Sequence, residues 1–231
     1  AVRQALGYAI DKDAIVSSVY NNQKFVSQYP LDYGNYLYTA ENVSSGYNAE
    51  QAKKVLEDGG WTYRNGSWKK EIDGSYRTLR LKIAVNKDQE GRVQASEKIK
   101  EQLKDIGIEV TINKITNDQY SKYISNKDYQ ILYTGVYNSF TPDLTYYFSS
   151  GNIENYYNEE MQELINNSAI IKDSKQQKEI FQKIYTLYKE DVPFIGISRN
   201  KNITITSQSL YGNIEPSNYT TYNKAELWYR K

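Results

Sequence analysis

A chain of 231 residues, 39% apolar and 25% charged, is long enough to bury a substantial core and has the balance of a folded globular protein. Its 29 basic and 28 acidic residues nearly cancel, which excludes the long-range positive field that draws proteins to nucleic acid or anionic membranes. Cysteine and histidine are both absent, and with them go thiol nucleophiles, disulfides, Cys/His zinc sites and every imidazole mechanism.

No apolar run approaches a membrane span. The chain opens on Ala1-Val2-Arg3, already inside a helical pattern and without an initiator Met or signal peptide, so it reads as an excised part of something longer. Val2, Ala5, Leu6, Ala9 and Ile10 recur at helical spacing, and Asp11 offers an N-cap for a second helix carrying Ala14, Ile15 and Val19. Residues 21–45 lose periodicity, and Tyr29-Pro30-Leu31-Asp32-Tyr33 within them is expected to flank a cleft. Asn48 with Gln51 forms a capping box for a helix stopped by Gly59-Gly60. Asn65-Gly66 marks a hairpin, extended by a second turn at Asp73-Gly74. Leu79, Leu81 and Ile83 alternate as a strand, residues 93–106 follow helical spacing up to Gly107, and Ile108, Val110 and Ile112 alternate again. That order predicts a β-α-β unit with two parallel strands and a right-handed crossover.

A short helix around residues 118–124 leads to the stretch on which the functional reading turns. Tyr129 to Val136 is mostly apolar or aromatic and predicts a central strand buried on both faces. Pro142 is expected in the first turn of the next helix. Ligands of open α/β sheets bind beyond the carboxyl ends of the strands, so residues 137–141 form the expected functional lip. A short aromatic helix, a loop over 149–158, a helix after Asn158 and a helix from Ser174 capped with Gln177 follow, ending before Pro193. Phe194, Ile195 and Ile197, then Ile203 and Ile205, predict two strands joined around Asn200-Lys201. The tail from 211 to 231 shows little periodicity.

Tyrosine is the compositional outlier, with 24 residues against 5 Phe; nine of the tyrosines lie between Tyr120 and Tyr157. A large face with a hydrogen-bonding tip suits a wet binding surface, although composition bias alone yields the same excess. Phosphate-binding loops, dinucleotide fingerprints and nucleophile elbows are missing. Asp143, Glu154, Glu159 and Glu160 supply carboxylates for a glycan-hydrolysing pair, yet Asp143 and Glu159 equally suit helix first turns.

Val2-Arg3-Gln4-Ala5-Leu6-Gly7-Tyr8-Ala9-Ile10-Asp11-Lys12 closely resembles the (V/I)-R-Q-A-(L/I)-x-x-A-(I/V)-(D/N)-(R/K) segment of the family 5 extracellular solute-binding proteins, the peptide and oligopeptide receptors of ABC importers. Later features keep the family's order: residues 48–61 resemble its helix ending A-G-W, residues 101–108 its Q-L-x-x-(I/L)-G-I, residues 128–143 its Y-D to D-P-D stretch, residues 155–158 its N-x-x-Y-x-N, and Asp191-Val192-Pro193 its E-x-x-P. The resemblance implies an α/β lobe of the periplasmic-binding-protein kind, a mixed sheet with a right-handed β-α-β unit and flanking helices. It implies a single carboxy-terminal lobe over residues 1–231, of which 192–231 return toward an absent amino-terminal lobe. The implied protein is an extracellular, membrane-tethered, monomeric receptor without enzymatic activity, cofactor or metal, passing peptides or a related solute to an ABC permease. Tyr133, Tyr137, Asn138, Ser139 and Phe140 would line the solute cleft, with Asn155 and Tyr156 beside them. Family peptide receptors commonly place an Asp four residues after the Gly to hold the ligand's ammonium. Ser139 stands at that spacing here, and a hydroxyl cannot pair with an ammonium as a carboxylate does. A solute-sensing lobe of a transcription regulator is the alternative, and a glycan-active enzyme a more distant one.

Overall fold

The computed structural model describes residues 1–27, 37, 46–127, 129–136, 141–201, 203–217 and 220–231. Helices α1 (Val2–Ala9) and α2 (Lys12–Tyr20) are separated by Asp11, whose carboxylate accepts the Ala14 N–H at 2.9 Å as the expected cap. A strand that periodicity misses, β1 (Lys24–Val26), follows. The Tyr29 to Tyr33 motif lies outside the described residues. Asn48 caps α3 (Ala49–Asp58) by accepting the Gln51 N–H at 2.9 Å. Strands β2 (Thr62–Arg64), β3 (Ser67–Ile72) and β4 (Ser75–Thr78) form an antiparallel meander. Its first turn puts Asn65 and Gly66 at φ 51° and 78°, the two positive values that a tight hairpin with the right twist requires.

The β-α-β unit forms as its periodicities dictate. Strand β5 (Arg80–Asn86), helix α4 (Glu90–Asp105) and strand β6 (Glu109–Ile115) bring β5 and β6 parallel, with Ile83 opposite Ile112. Helix α5 (Asn117–Asn126) opens on a complete capping box between Thr116 and Gln119. Strand β7 (Ile131–Tyr133) then pairs parallel to β5. The sheet order is β6-β5-β7, so the central strand is β5 and not the one expected from the 129–136 run. Strand β7 is short and half-buried: among the described residues it pairs with β5 alone, and Ile131 and Tyr133 pack against the core built around the β-α-β unit. Parallel and antiparallel pairings occur in separate sheets among the described residues.

Helix α6 (Thr145–Phe148) starts three residues beyond Pro142, and its first free N–H, that of Thr145, is taken by the Asp143 carboxylate at 2.9 Å. Asn158 caps α7 (Glu159–Ile170) through the Met161 N–H at 3.1 Å. Asp173, one residue before the expected Ser174, caps α8 (Ser174–Asp191). Beyond Pro193 the expected strands are displaced: β8 (Ser198–Asn200) occupies the predicted link and pairs antiparallel with β1. Ile205 is 91% exposed, so the alternating isoleucines there have no face to bury. Short strands β9 (Leu210–Tyr211) and β10 (Tyr229–Arg230) close the chain.

Two cores result. One joins α1, α2, α3, Trp68 and the β5-α4-β6 unit, and includes Leu6, Ile15, Leu56, Ile83, Leu103 and Ile108. The other joins α6, α7 and α8 around Phe148, Met161, Phe181 and Ile184. They meet at the end of α8. The Arg3 guanidinium donates to the Asp191 carbonyl at 2.8 Å and the Gln4 amide to the Glu190 carbonyl at 2.7 Å.

Candidate functional site

All three parallel strands end at one rim. There Asn86, at the end of β5, accepts the Asp88 N–H at 2.9 Å and donates to the Asn117 side chain, tying the ends of β5 and β6 together. Beyond β7, the Thr134 and Tyr120 hydroxyls bond to each other, and Gly135 and Val136 are exposed. Tyr133 is the one expected lip residue of β7 whose surroundings are described. Its hydroxyl lies 3.4 Å from that of Tyr20, which also lies 3.0 Å from the Gly91 carbonyl and donates to it. Burial, with the neighbouring Tyr20 adding to it, holds the Tyr133 phenol far above its ordinary pKa. Tyr137, Asn138, Ser139 and Phe140 lie outside the described residues.

Two residues that sequence reasoning passed over stand beside Tyr133 at this rim, Tyr20 from α2 and Arg92 from the first turn of α4, and a third, Lys24 from β1, stands beside Tyr20. The Lys24 ammonium sits 4.5 Å from the centre of the Tyr20 ring. Arg92 lies against Gly135 so closely that a Cβ built there would stand 2.4 Å from its Nη2 atom. Glycine at 135 is what leaves the guanidinium room. Partial burial and, second, the charge of Arg92 lower the pKa of Lys24. The rule about strand ends, applied to β5 as well as β7, would have pointed to residues 87–92.

Asn155 and Tyr156 behave differently from each other. Asn155 is exposed in a left-handed turn with φ 52°. Tyr156 is 7% exposed and belongs to the second core; its hydroxyl donates to the Asp191 carboxylate at 2.6 Å, beside the Asn158 amide at 3.0 Å. Those contacts are internal to the fold.

Among the candidate acids, Asp143 caps α6 and Glu159 and Glu160 occupy the first turn of α7, whose positive end favours them. Glu154 stands apart. Its Oε2 atom is buried without a hydrogen-bond partner, and burial pushes its carboxyl up to about 7, against the opposing pull of its own backbone N–H and of Lys127. The folded chain therefore holds this proton more tightly than the unfolded chain, whose reference value is 4.5. The stability it contributes is full below that value and is lost as pH rises through about 7. After discounting for solvent screening, the expected loss across the window is about 1–2 kcal/mol. Urea unfolding at both ends of the window should show it, and Glu154→Gln should flatten the slope; an unchanged slope in that variant would assign the effect elsewhere.

A cavity of about 160 Å³ opens away from this rim, between α1 and the end of α8, lined by Tyr8, Lys12, Tyr188, Val192 and Phe194 among others. Among the described residues, none of those expected to bind solute lines it. Burial lowers the Lys12 ammonium there to about 8, and its Nζ donates to the Ser27 carbonyl at 3.1 Å.

A β-α-β sheet with polar and aromatic groups gathered past its carboxyl ends defines a lobe of the periplasmic-binding-protein kind. Residues 1–158 match the family described as bacterial extracellular solute-binding proteins, family 5 middle, and the chain belongs to that family. Over its whole length it is 28% identical to the oligopeptide-binding protein AppA of Bacillus subtilis, an alignment covering 44% of that protein. The solved structure of AppA with a nonapeptide superimposes with a TM-score of 0.79 at 26% identity, over 100% of this chain and 47% of that one. An oligopeptide-binding protein of Thermus thermophilus with a pentapeptide gives 0.76 at 18% identity, over 95% and 40% of the two chains. A periplasmic oligopeptide-binding protein of Thermotoga maritima with mannohexaose gives 0.77 at 20% identity, over 96% and 44%. The chain thus spans about half the length of the relatives it matches. The resemblance carried by residues 2–12 is borne out at the level of the family.

Proposed function

We propose that this chain is the carboxy-terminal lobe of a two-lobe extracellular receptor that binds a peptide or related solute and delivers it to an ABC importer. The observation that carries the reading is the match of the entire chain to an oligopeptide-binding protein, in sequence and in fold. The solute lies against the rim past β7, where Tyr133, Tyr137, Asn138, Ser139 and Phe140 stack on it and hydrogen-bond to it, with Asn155 at the margin. Tyr156 serves the fold. The chain acts as a binding protein and not as an enzyme, works as a monomer, and residues 192–231 return toward the other lobe. Among the described residues no helix is long and apolar enough to cross a membrane, so in this reading the full protein is held at the cell surface by a tether outside this lobe.

Mass spectrometry of what co-purifies with the complete receptor tests the reading. A recurrent set of peptides supports it, and a single glycan or chelate overturns the peptide assignment. Within the complete receptor, Asn138→Ala combined with Ser139→Ala should weaken solute binding by roughly 0.5–1.5 kcal/mol per lost hydrogen bond. The melting temperature should barely move, because hydrated lip groups contribute little to the fold. Unaltered affinity with a lowered melting temperature would make these residues structural. The isolated lobe should bind peptide only weakly, since half of the contacts leave the costs of association and ordering uncompensated; micromolar binding by calorimetry would contradict a two-sided cleft.

A further inference from the structure

The cavity between α1 and the end of α8 has walls that the fold alone does not explain. Gly7 lies inside α1 and on the cavity wall, where glycine is a costlier choice than alanine because it gives up more backbone freedom on folding. Its backbone is not left-handed, and among the described residues a Cβ built there would meet only Val192 Cγ1, at an ordinary contact of 3.8 Å. Neither conformation nor a close neighbour requires the glycine; what it preserves is space. Val192, also on the wall, takes φ 44°, a left-handed conformation that a β-branched residue rarely adopts. Two conformational costs therefore fall on one cavity. The rest of the wall selects a ligand: Tyr8, Tyr188 and Phe194 supply aromatic surface, and the charged groups among the described lining residues are both lysines, Lys12 and Lys189. Lys12 is 8% exposed, and its Nζ donates to the Ser27 carbonyl at 3.1 Å. A buried ammonium beside apolar carbon favours an acid carried on a small apolar body. The volume of about 160 Å³ is close to that of an engineered cavity of about 150 Å³ that takes up benzene, so the body is a single ring or a short acyl chain.

We propose that this cavity is a second ligand site, separate from the solute rim, and that it takes a small monocarboxylic acid, with the ring or acyl chain against Gly7, Val192 and Phe194 and the carboxylate toward Lys12. The site lies between α1, which belongs to one core, and the end of α8, which belongs to the other. A bound acid therefore ties the two cores together and stabilises the lobe. The proposal does not depend on what the rim binds.

The test uses the complete receptor, with benzoate, hexanoate, benzyl alcohol and benzylamine as probes. Binding is read by NMR titration and by the rise in melting temperature that binding to the folded state produces. Benzoate and hexanoate should bind in a saturable way and about tenfold or more tightly than benzyl alcohol, the worth of one charge-assisted hydrogen bond; benzylamine should not bind. Gly7→Leu, which puts a side chain into the cavity, should abolish benzoate binding. Gly7→Ala, whose added methyl meets Val192 at ordinary contact, should weaken it while raising the melting temperature of the free protein. Lys12→Met should bring benzoate down to the level of benzyl alcohol. If Gly7→Leu or Lys12→Met does not fold, Gly7→Ala still locates the site, and the ratio of benzoate to benzyl alcohol affinity in the parent still reads the charge. Absence of saturable benzoate binding overturns the proposal, as does benzoate binding that Gly7→Ala leaves unchanged. Equal affinity of the parent for benzoate and benzyl alcohol overturns the assignment of an acid as the ligand.

Discussion

Trp68→Ala should destabilise the lobe by about 3–5 kcal/mol. The indole is 1% exposed, packs 5.1 Å from the Tyr63 ring and donates its N–H to the Ile106 carbonyl at 2.7 Å. It is the wedge that fastens the β2-β3-β4 meander to the far end of α4. Alanine would leave both a cavity and a buried carbonyl without a donor. Trp68→Phe separates the two effects, because it keeps most of the ring and forfeits chiefly the hydrogen bond, at about 1–3 kcal/mol. Urea unfolding with an unchanged m-value measures each directly. A loss below about 1 kcal/mol for the alanine variant would show that the meander is attached by something else.

Asp191→Ala is the second large effect expected, again about 3–5 kcal/mol, from the loss of two hydrogen bonds to an ionised acceptor worth about 1.5–3 kcal/mol each. Tyr156 and Asn158 both donate to its Oδ2 atom. Burial, followed by the carboxylate beside it, holds the Tyr156 phenol well above its usual range, so it remains a donor throughout the neutral region. Tyr156→Phe should cost about 1.5–3 kcal/mol by itself. Combined with Asp191→Ala it should cost clearly less than the sum of the two, since both changes remove the same bond. Additive losses in that cycle would deny the coupling. A fall in solute affinity for Tyr156→Phe, at equal fraction folded, would return Tyr156 to the solute site.

How much was legible depended on whether the signal was local. Asp11, Asn48 and Asn158 announce their helices because a cap acts within three residues, and Asn65-Gly66 announces its turn for the same reason. The β-α-β unit was legible because each segment repeats one period for long enough. Strand β1 was not, because three residues carry no period and their partner, β8, lies far along the chain. The same distance misplaced the strands after Pro193, where isoleucines at alternate positions suggested burial that the fold does not supply. At the rim, Tyr133 came from the family resemblance, whereas Tyr20, Lys24 and Arg92 come from three other elements. Only the three-dimensional closeness of α2, β1, α4 and β7 makes them a group, and no spacing in the sequence encodes it.

The second core has a bearing on how the chain can be divided. Leu144, Tyr147, Phe148 and Tyr156 lie before residue 158, where the family match ends, while Met161, Leu164, Phe181 and Ile184 of the same cluster lie after it. Phe148 and Tyr156 pack with ring centres 6.1 Å apart, and Phe194 stacks on Tyr147 at 5.0 Å from the other side of that boundary. A truncation at 158 would therefore uncover an aromatic face and invite aggregation instead of yielding a smaller folded piece. The segment matched by the family model is shorter than the second core requires, and any chimera exchanging parts between relatives must keep α6, α7, α8 and Phe194 from a single parent.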